Sequence, residues 1–214
     1  MRFFCTIFLL SVILFASAQK PLTFKEVLKT TKEIAITDSF LIDYSSVEKV
    51  DLDKNTGASF FKIIERKEGD SLEKADYSIV GKITTHKDFD ILLVCTEKSI
   101  IIRSSNNLAS IPTDCSIIRE LFLVLLDKEG NYKNNFLAAM DYRKKDYEKN
   151  ITRKISSWIY ADLKIIQHTL TESWQSYMIY QPFAKGETKA FNFSMEYRIN
   201  DYGVFVAYPN YKRN

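Results

Sequence analysis

Residues 121–126 read Leu-Phe-Leu-Val-Leu-Leu, and this run halts at Asp127-Lys-Glu-Gly130 before a weaker apolar run returns over 131–140. Aspartate at the first turn position and glycine at the fourth suit a type I turn that closes on a positive-φ residue, the three-residue hairpin with a G1 bulge. A strand that is apolar at both parities must be covered on both faces. Six residues are too few for a buried helix, and the flanking turn chemistry is wrong for one. The pattern therefore predicts a hairpin at the centre of the fold, with Leu123, Val124 and Leu125 all in the core.

Ahead of that hairpin, residues 22–35 predict a helix. Thr23 and Glu26 form a Ser/Thr-x-x-Glu capping box, which satisfies two otherwise unpaired backbone donors. Phe24, Val27, Leu28, Thr31, Ile34 and Ala35 then share one helical face. From residue 40 the apolar period changes to two. Strands are predicted over 47–52 and 58–64 around a polar turn at 53–57, then over 77–85, 89–96 and 99–103. After the central hairpin, further strands are predicted over 152–160, 163–171, 177–183, 188–199 and 204–208. Residues 65–76, 104–114 and 141–150 read as polar connections. The cleanest alternation sets Phe191, Phe193, Met195, Tyr197 and Ile199 against Asn192, Ser194, Glu196 and Arg198. It assigns the first set to the interior. The fold class is mainly β, an antiparallel meander with one N-terminal helix, and a barrel, a sandwich or a propeller-like closure would each fit.

The chain opens with Met1-Arg2-Phe3, an apolar run to Phe15 and the small residues Ala16-Ser17-Ala18. That layout is a secretory signal peptide, too short to span a bilayer, with cleavage expected before Gln19. Residues 19–214 then form a single β-rich domain, secreted or periplasmic, without a transmembrane segment. Basic and acidic residues number 30 and 27 in the whole chain. So even a balance lacks the concentrated basic excess of a general nucleic-acid binder, and nucleic acid is not an expected partner. Six glycines and four prolines leave no room for linkers or low-complexity repeats.

The leader, the strand-turn pattern over 77–96 and the 121–140 hairpin together resemble small exported β-rich proteins of unknown function common in Bacteroidota. The resemblance implies a secreted or periplasmic β protein without a known activity. It hands over no catalytic or binding positions.

Asp51-x-Asp53-x-Asn55-x-Gly57 has the alternating oxygens of a calcium loop. The glycine falls one place late, however, and Lys62 stands where the bidentate glutamate belongs, so no metal site and no cofactor are predicted. His86 and His168 are the only histidines. Neither is accompanied by a Gly-x-Ser-x-Gly elbow, and both read as structural. Cys95 and Cys115 can form one disulfide, stabilising by roughly 3 kcal/mol on the chain-entropy model, remain two buried thiols, or supply a nucleophile, and an exported compartment favours the disulfide. Asp141 with Asp146, or Glu65 with Glu73, could cleave glycosides only if folding brought them to a suitable separation.

The aromatic group Trp158, Trp174, Tyr177 and Tyr180 carries the binding hypothesis, since exposed rings contact sugars or protein partners. Trp174, flanked by polar residues, is the expected anchor. These features predict an exported non-enzymatic module that binds an unknown protein or glycan. The alternatives are a hydrolase built from scattered carboxylates and a barrel that carries an apolar ligand.

Overall fold

The computed structural model of the chain describes residues 21–65, 75–102, 114–145, 149–175 and 187–208. The expected signal peptide, Tyr177, Tyr180, Asp146 and Glu73 lie outside the described residues. In chain order the elements are α1 Phe24–Thr30, β1 Ser39–Ile42, β2 Val50–Asp51, α2 Lys54–Glu65, β3 Asp76–Ile83 and β4 Phe89–Ile102. They continue with β5 Asp114–Asp127, β6 Tyr132–Lys145, β7 Lys149–Tyr160, β8 Lys164–Gln175, β9 Glu187–Ile199 and β10 Phe205–Tyr208. Strands β2 to β10 lie side by side in sequence order, an antiparallel meander that stays open, and β1 pairs with β7 off that path. The sheet does not close into a barrel.

The central hairpin forms as its sequence dictates. Gly130 has φ +86°, and its N–H donates to the Asp127 carbonyl at 2.9 Å. The Asp127 carboxylate accepts from the Glu129 and Asn131 amides. Leu121, Leu123, Val124, Leu125 and Leu126 are all fully buried, because β4 and β5 are the middle layer of three. On one face Leu92, Val94, Phe122, Val124 and Leu126 meet Phe24 and Val27 of α1 and Phe60, Phe61 and Ile64 of α2. On the other, Ile91, Leu93, Leu121, Leu123 and Leu125 meet Ile42 of β1, Ile159 of β7, Ile165 of β8 and Ile199 of β9.

The third layer arises because the sheet splits between β6 and β7. These strands pair only from Met140↔Ile155 to Lys145↔Asn150. Beyond that point β1 takes the place beside β7, from Ile42↔Ser157 to Ser39↔Tyr160. The split leaves β6 carbonyls without a ladder partner, and a buried carbonyl must find one. Ser157 Oγ donates to the Ala138 carbonyl at 2.6 Å, and Gln167 Nε2 donates to the Leu137 carbonyl at 2.8 Å. Ala138 is the extra residue of a bulge between Leu121↔Ala139 and Phe122↔Leu137. Its small side chain lets the third layer approach closely.

Several sequence expectations are corrected. Residues 54–65 are a helix, not part of a hairpin. Asp53 caps it, accepting from the Thr56 amide at 3.0 Å, and Phe60, Phe61 and Ile64 recur at helical spacing on its buried side. The oxygens that imitate a calcium loop therefore begin a helix. The N-terminal helix has its capping box but ends at Thr30. The hydroxyls of Thr30 and Thr31 both bond the Val27 carbonyl, and such back-bonding competes with helix continuation. The next segment runs beside β3 instead, with the Ile34 amide donating to the Lys82 carbonyl at 2.7 Å.

Strands β4 to β7 also run through charged stretches that read as turns or loops. Opposite charges on facing strands neutralise one another there: Arg119 Nη2 lies 2.7 Å from Glu97 Oε1, and its Nη1 lies 3.6 Å from Asp141 Oδ2. The disulfide does not form. Cys95 is opposite Leu121, whereas Cys115 is opposite Ile101, six residues further along the same ladder. At about 3.3 Å per residue that separation is near 20 Å, far beyond disulfide reach. Cys95 is a free, buried thiol.

Candidate binding site

Strands β6 to β9 are longer than the core they cover. The face that β7–β9 turn toward the core can be followed outward as cross-strand rows. Ile159, Ile165 and Tyr197 form an inner row, and Ser157, Gln167 and Met195 the next. Then come Met140, Ile155, Thr169 and Phe193, followed by Tyr142, Arg153, Thr171 and Phe191. Lys144, Ile151, Ser173 and Lys189 follow, and Lys149, Gln175 and Glu187 hold the last row. Arg153 Nε donates to Thr171 Oγ1 at 3.2 Å, as neighbours on one face should. The inner row is dry, with Ile159 and Ile165 fully buried. Two rows beyond the Met195 row nothing among the described residues covers the sheet.

Phe191 sits on this uncovered part and Phe193 at its border, beside the buried Thr169, and they are 62% and 52% exposed. Their assignment to the interior is therefore wrong, although the alternation that suggested it is real. Alternation shows which residues share a face and not how far along the strand that face stays covered. Tyr197, from the same series, does pack on the core, edge-on to Phe136 at 4.7 Å between ring centroids. The strand opposite held the missing signal: Ile165, Gln167, Thr169, Thr171 and Ser173 of β8 pass from apolar to polar along the same face.

Of the aromatic residues expected to bind, the two that are described, Trp158 and Trp174, do not come together. Trp158 is 37% exposed on the opposite face of the sheet, paired with Leu41 and Ile166. Trp174 is half-buried, opposite Asn150 and Thr188. Both tryptophans share a face. Ile166, the partner of Trp158, is eight residues from Trp174 on β8, about 26 Å along a strand. No single contact surface unites them.

Charge on the exposed Phe191 face is predominantly positive, from Lys144, Arg153 and Lys189. Glu120 also projects on this side, next to Met140 in register, but its side chain is only 16% exposed and pairs with Lys98 at 4.0 Å. The other face carries the acids. There Asp141 pairs with Arg119 and with Arg143 at 3.2 Å, and Asp43 with Lys154 at 3.0 Å. They surround a cavity of about 100 Å³ lined by Asp43, Tyr44, Met140, Asp141, Arg143 and Lys154. Arg119 holds the Glu97 carboxyl below the usual range against the opposing effect of burial. At Asp43 burial is again outweighed, here by Ser45 and Lys154, and the net shift is downward. Burial pushes the Tyr44 hydroxyl up. Carboxylates held ionised in ion pairs are suited to fastening strands, not to passing protons near neutrality. No protein family, curated protein or solved structure matches the chain. The reading of the site thus rests on its geometry.

The histidines occupy two further places. His168 Nδ1 lies 2.6 Å from Ser194 Oγ on the exposed face opposite Phe191. A serine nucleophile also needs converging backbone donors for the oxyanion, and in a flat sheet the N–H groups lie in the plane of the ladder. Among the described residues no carboxylate bonds His168. His86 is in the β3–β4 turn, beside a cleft of about 430 Å³ whose wall includes Glu33, Ile34, Lys87, Asp162 and Leu163. Lys87 is already paired with Asp201 at 2.8 Å. Leu163 has φ +63°, in the left-handed region that a branched side chain seldom adopts.

Proposed function

We propose that the chain is an exported, non-enzymatic β module that binds a protein or glycan through the exposed Phe191–Phe193 face of β7–β9. One observation carries this reading: two phenylalanines, both more than half exposed, stand side by side on a rigid sheet. Large rings supply contact area with few rotamers to freeze, so a partner gains apolar burial at small entropic cost. Arg153 beside them adds a polar, directional contact of the kind found at binding hot spots. Export rests on the charged start, apolar run and Ala16-Ser17-Ala18, and the likeness to exported Bacteroidota β proteins belongs to the same reading.

The test is a Phe191→Ser, Phe193→Ser double variant screened beside the wild type on glycan and protein arrays. An unchanged melt with loss of a wild-type ligand is the expected result. A double variant that keeps every wild-type interaction would place function elsewhere on the molecule.

A further inference from the structure

We propose that the cleft beside the β3–β4 turn is a second site, independent of the Phe191–Phe193 face. Its ligand is a small organic cation with an ammonium head, an apolar body and a carbonyl acceptor.

The cleft arises where one segment leaves the sheet edge. Residues 32–34 run beside β3. The Lys82 amide donates to the Lys32 carbonyl at 2.9 Å, and the Ile34 amide donates to the Lys82 carbonyl at 2.7 Å. Gly81 permits that approach, since a Cβ there would lie 2.7 Å from Ile34 Cδ1. The chain must then cross to the third layer, because β1 pairs with β7. The crossing ends at Asp38, whose carbonyl accepts from the Ala161 amide at 3.0 Å. A space of about 430 Å³ is left between the crossing, the β3–β4 turn and the β7–β8 turn, within the size range of small-molecule sites. The four strand connections at this end of the molecule, 84–88, 128–131, 161–163 and 200–204, are all among the described residues. Strand β10 leads away from this end, from Phe205↔Ile199 to Tyr208↔Glu196. The chain enters α1 on the other side of the sheet, where the Leu22 amide bonds Thr56 Oγ1 of α2.

The floor of the cleft is apolar. Ile83 and Leu163 are buried in the core, with Ile34 and Ile36 packed against it. Leu163 stands where two sister turns place Gly130 and Gly203, at φ +63° against +86° and +74°. In all three turns the amide of that residue donates to the carbonyl three positions earlier. A leucine accepts strain there that a glycine avoids, and it sets an apolar side chain beneath the cleft.

The walls are polar and directional. Both main-chain groups of Lys82 point away from β4, and the Thr85 amide points toward it, donating to Asp90 Oδ1 at 3.0 Å. Successive residues alternate, so the N–H and C=O of Thr84 face the cleft. No backbone hydrogen bond among the described residues takes either group. The turn is held rigid by Lys128, whose Nζ donates to the Thr85 carbonyl at 2.9 Å and pairs with Asp90 at 2.7 Å. Glu33 and Asp162 supply negative charge. Asp162 Oδ1 accepts only the Lys164 amide of its own turn, and Glu33 has no side-chain partner among the described residues. The neighbouring lysines are engaged elsewhere: Lys87 with Asp201 at 2.8 Å, Lys32 with Glu48 at 3.4 Å, Lys82 on the Leu28 carbonyl and Lys164 over the Tyr160 ring. An anion would meet two carboxylates, and a wholly apolar molecule would desolvate them without compensation. An ammonium gains charge-assisted hydrogen bonds from them, while an attached carbonyl accepts from Thr84.

The experiment titrates the purified protein with N-benzyl-β-alaninamide at pH 7, followed by NMR of the backbone amides. Controls are N-benzylbutanamide, in which a methyl replaces the ammonium, and phenylpentylamine, which lacks the carbonyl. The amides of Ile36, Thr84 and Leu163 should shift on binding, Thr84 downfield only when the probe carries the carbonyl. N-benzylbutanamide should bind roughly tenfold more weakly, and so should the probe to a Glu33→Gln, Asp162→Asn variant with an unchanged melt. The Phe191→Ser, Phe193→Ser variant should bind the probe as the wild type does, so this site and the face on β7–β9 stand or fall separately. Equal binding of the methyl control would overturn the proposal. So would shifts confined to residues outside the cleft, undiminished binding by the Glu33→Gln, Asp162→Asn variant, or no binding of the probe at millimolar concentration.

Discussion

Replacing Gly57 by alanine separates two opposed effects by sign. Gly57 is in the first turn of α2, where alanine should favour the helix by about 1 kcal/mol. The position is closed, however. A Cβ built there would lie 2.2 Å from Cγ and 2.4 Å from Cβ of Tyr77, against about 3.5–4.0 Å for a comfortable carbon contact. Those atoms are the root of the ring and cannot swing aside. Tyr77 is 3% exposed, and the Phe61 ring stands 5.2 Å from it, so the side chain has no empty space to enter. Overpacking of this kind costs about 1–3 kcal/mol, and an overlap with fixed atoms takes the upper end. Gly57→Ala should thus destabilise by about 2 kcal/mol net, lowering the melting temperature by about 4–8 °C for a domain of this size. Thermal and denaturant unfolding measure it. With Tyr77→Ala in the background the ring overlap is gone but the 2.4 Å approach to the Cβ of residue 77 remains, so the same substitution should still destabilise, by less than in the wild type. A melting temperature that rises on Gly57→Ala alone would refute the close packing of α2 on β3.

Leu123→Asp places an unpaired charge in the fully buried middle layer and should cost several kcal/mol, enough to abolish a cooperative melt. Trp174→Ala should change stability by much less than the about 3–5 kcal/mol of a core tryptophan, because Trp174 is only half-buried; a core-sized loss would refute its edge position. Burial pushes the Cys95 thiol up to about 12, so iodoacetamide should label it only after unfolding, as mass spectrometry would report. Glu97 and Asp43 have carboxyls held below their unfolded values. Their contribution is therefore complete above the unfolded carboxylate range and is lost as the pH falls through the lower folded values. Glu97→Gln should be less stable than wild type at pH 7 and should flatten the acid limb of a melting-temperature profile; an unchanged limb would show that the Arg119 pair stabilises nothing.

How much of this was legible in the sequence depends on whether local chemistry or a distant partner decides each feature. The Asp127–Gly130 turn, the Thr23–Glu26 capping box and the two-sided burial of 121–126 are local, and residue types and spacing suffice to read them. Residues 58–64 misled because Ala-Ser-Phe-Phe-Lys-Ile-Ile satisfies a strand as readily as a helix. The Asp53 cap that decides between them also imitates a metal loop. Asp141 reads as a connection, and Glu97 and Arg119 fall outside the predicted strands, until the facing strand supplies the neutralising charge. The exposed Phe191–Phe193 face was the hardest to see. Its rings obey the same alternation as the core, and only the thinning of apolar residues on the neighbouring strand shows where the cover ends.

The split between β6 and β7 constrains the order in which the molecule can be assembled. Helices α1 and α2 and strands β2 to β6 are contiguous from residue 24 to 145, and neighbour pairs within that stretch are short-range. Strand β1 lies at the start of it, yet its partner residues are far away: Ile42 pairs with Ser157, 115 positions later. Closing a loop of that length is slow relative to hairpin formation, so β1 has no docking site until β7 has formed. During synthesis on the ribosome, the inner face of Leu93, Leu121 and Leu123 consequently waits uncovered while the last third of the chain arrives. Pulse-labelled hydrogen exchange during refolding should show the amides of residues 39–42 gaining protection together with those of 157–160, and no earlier. The strand made first would be among the last to take its place.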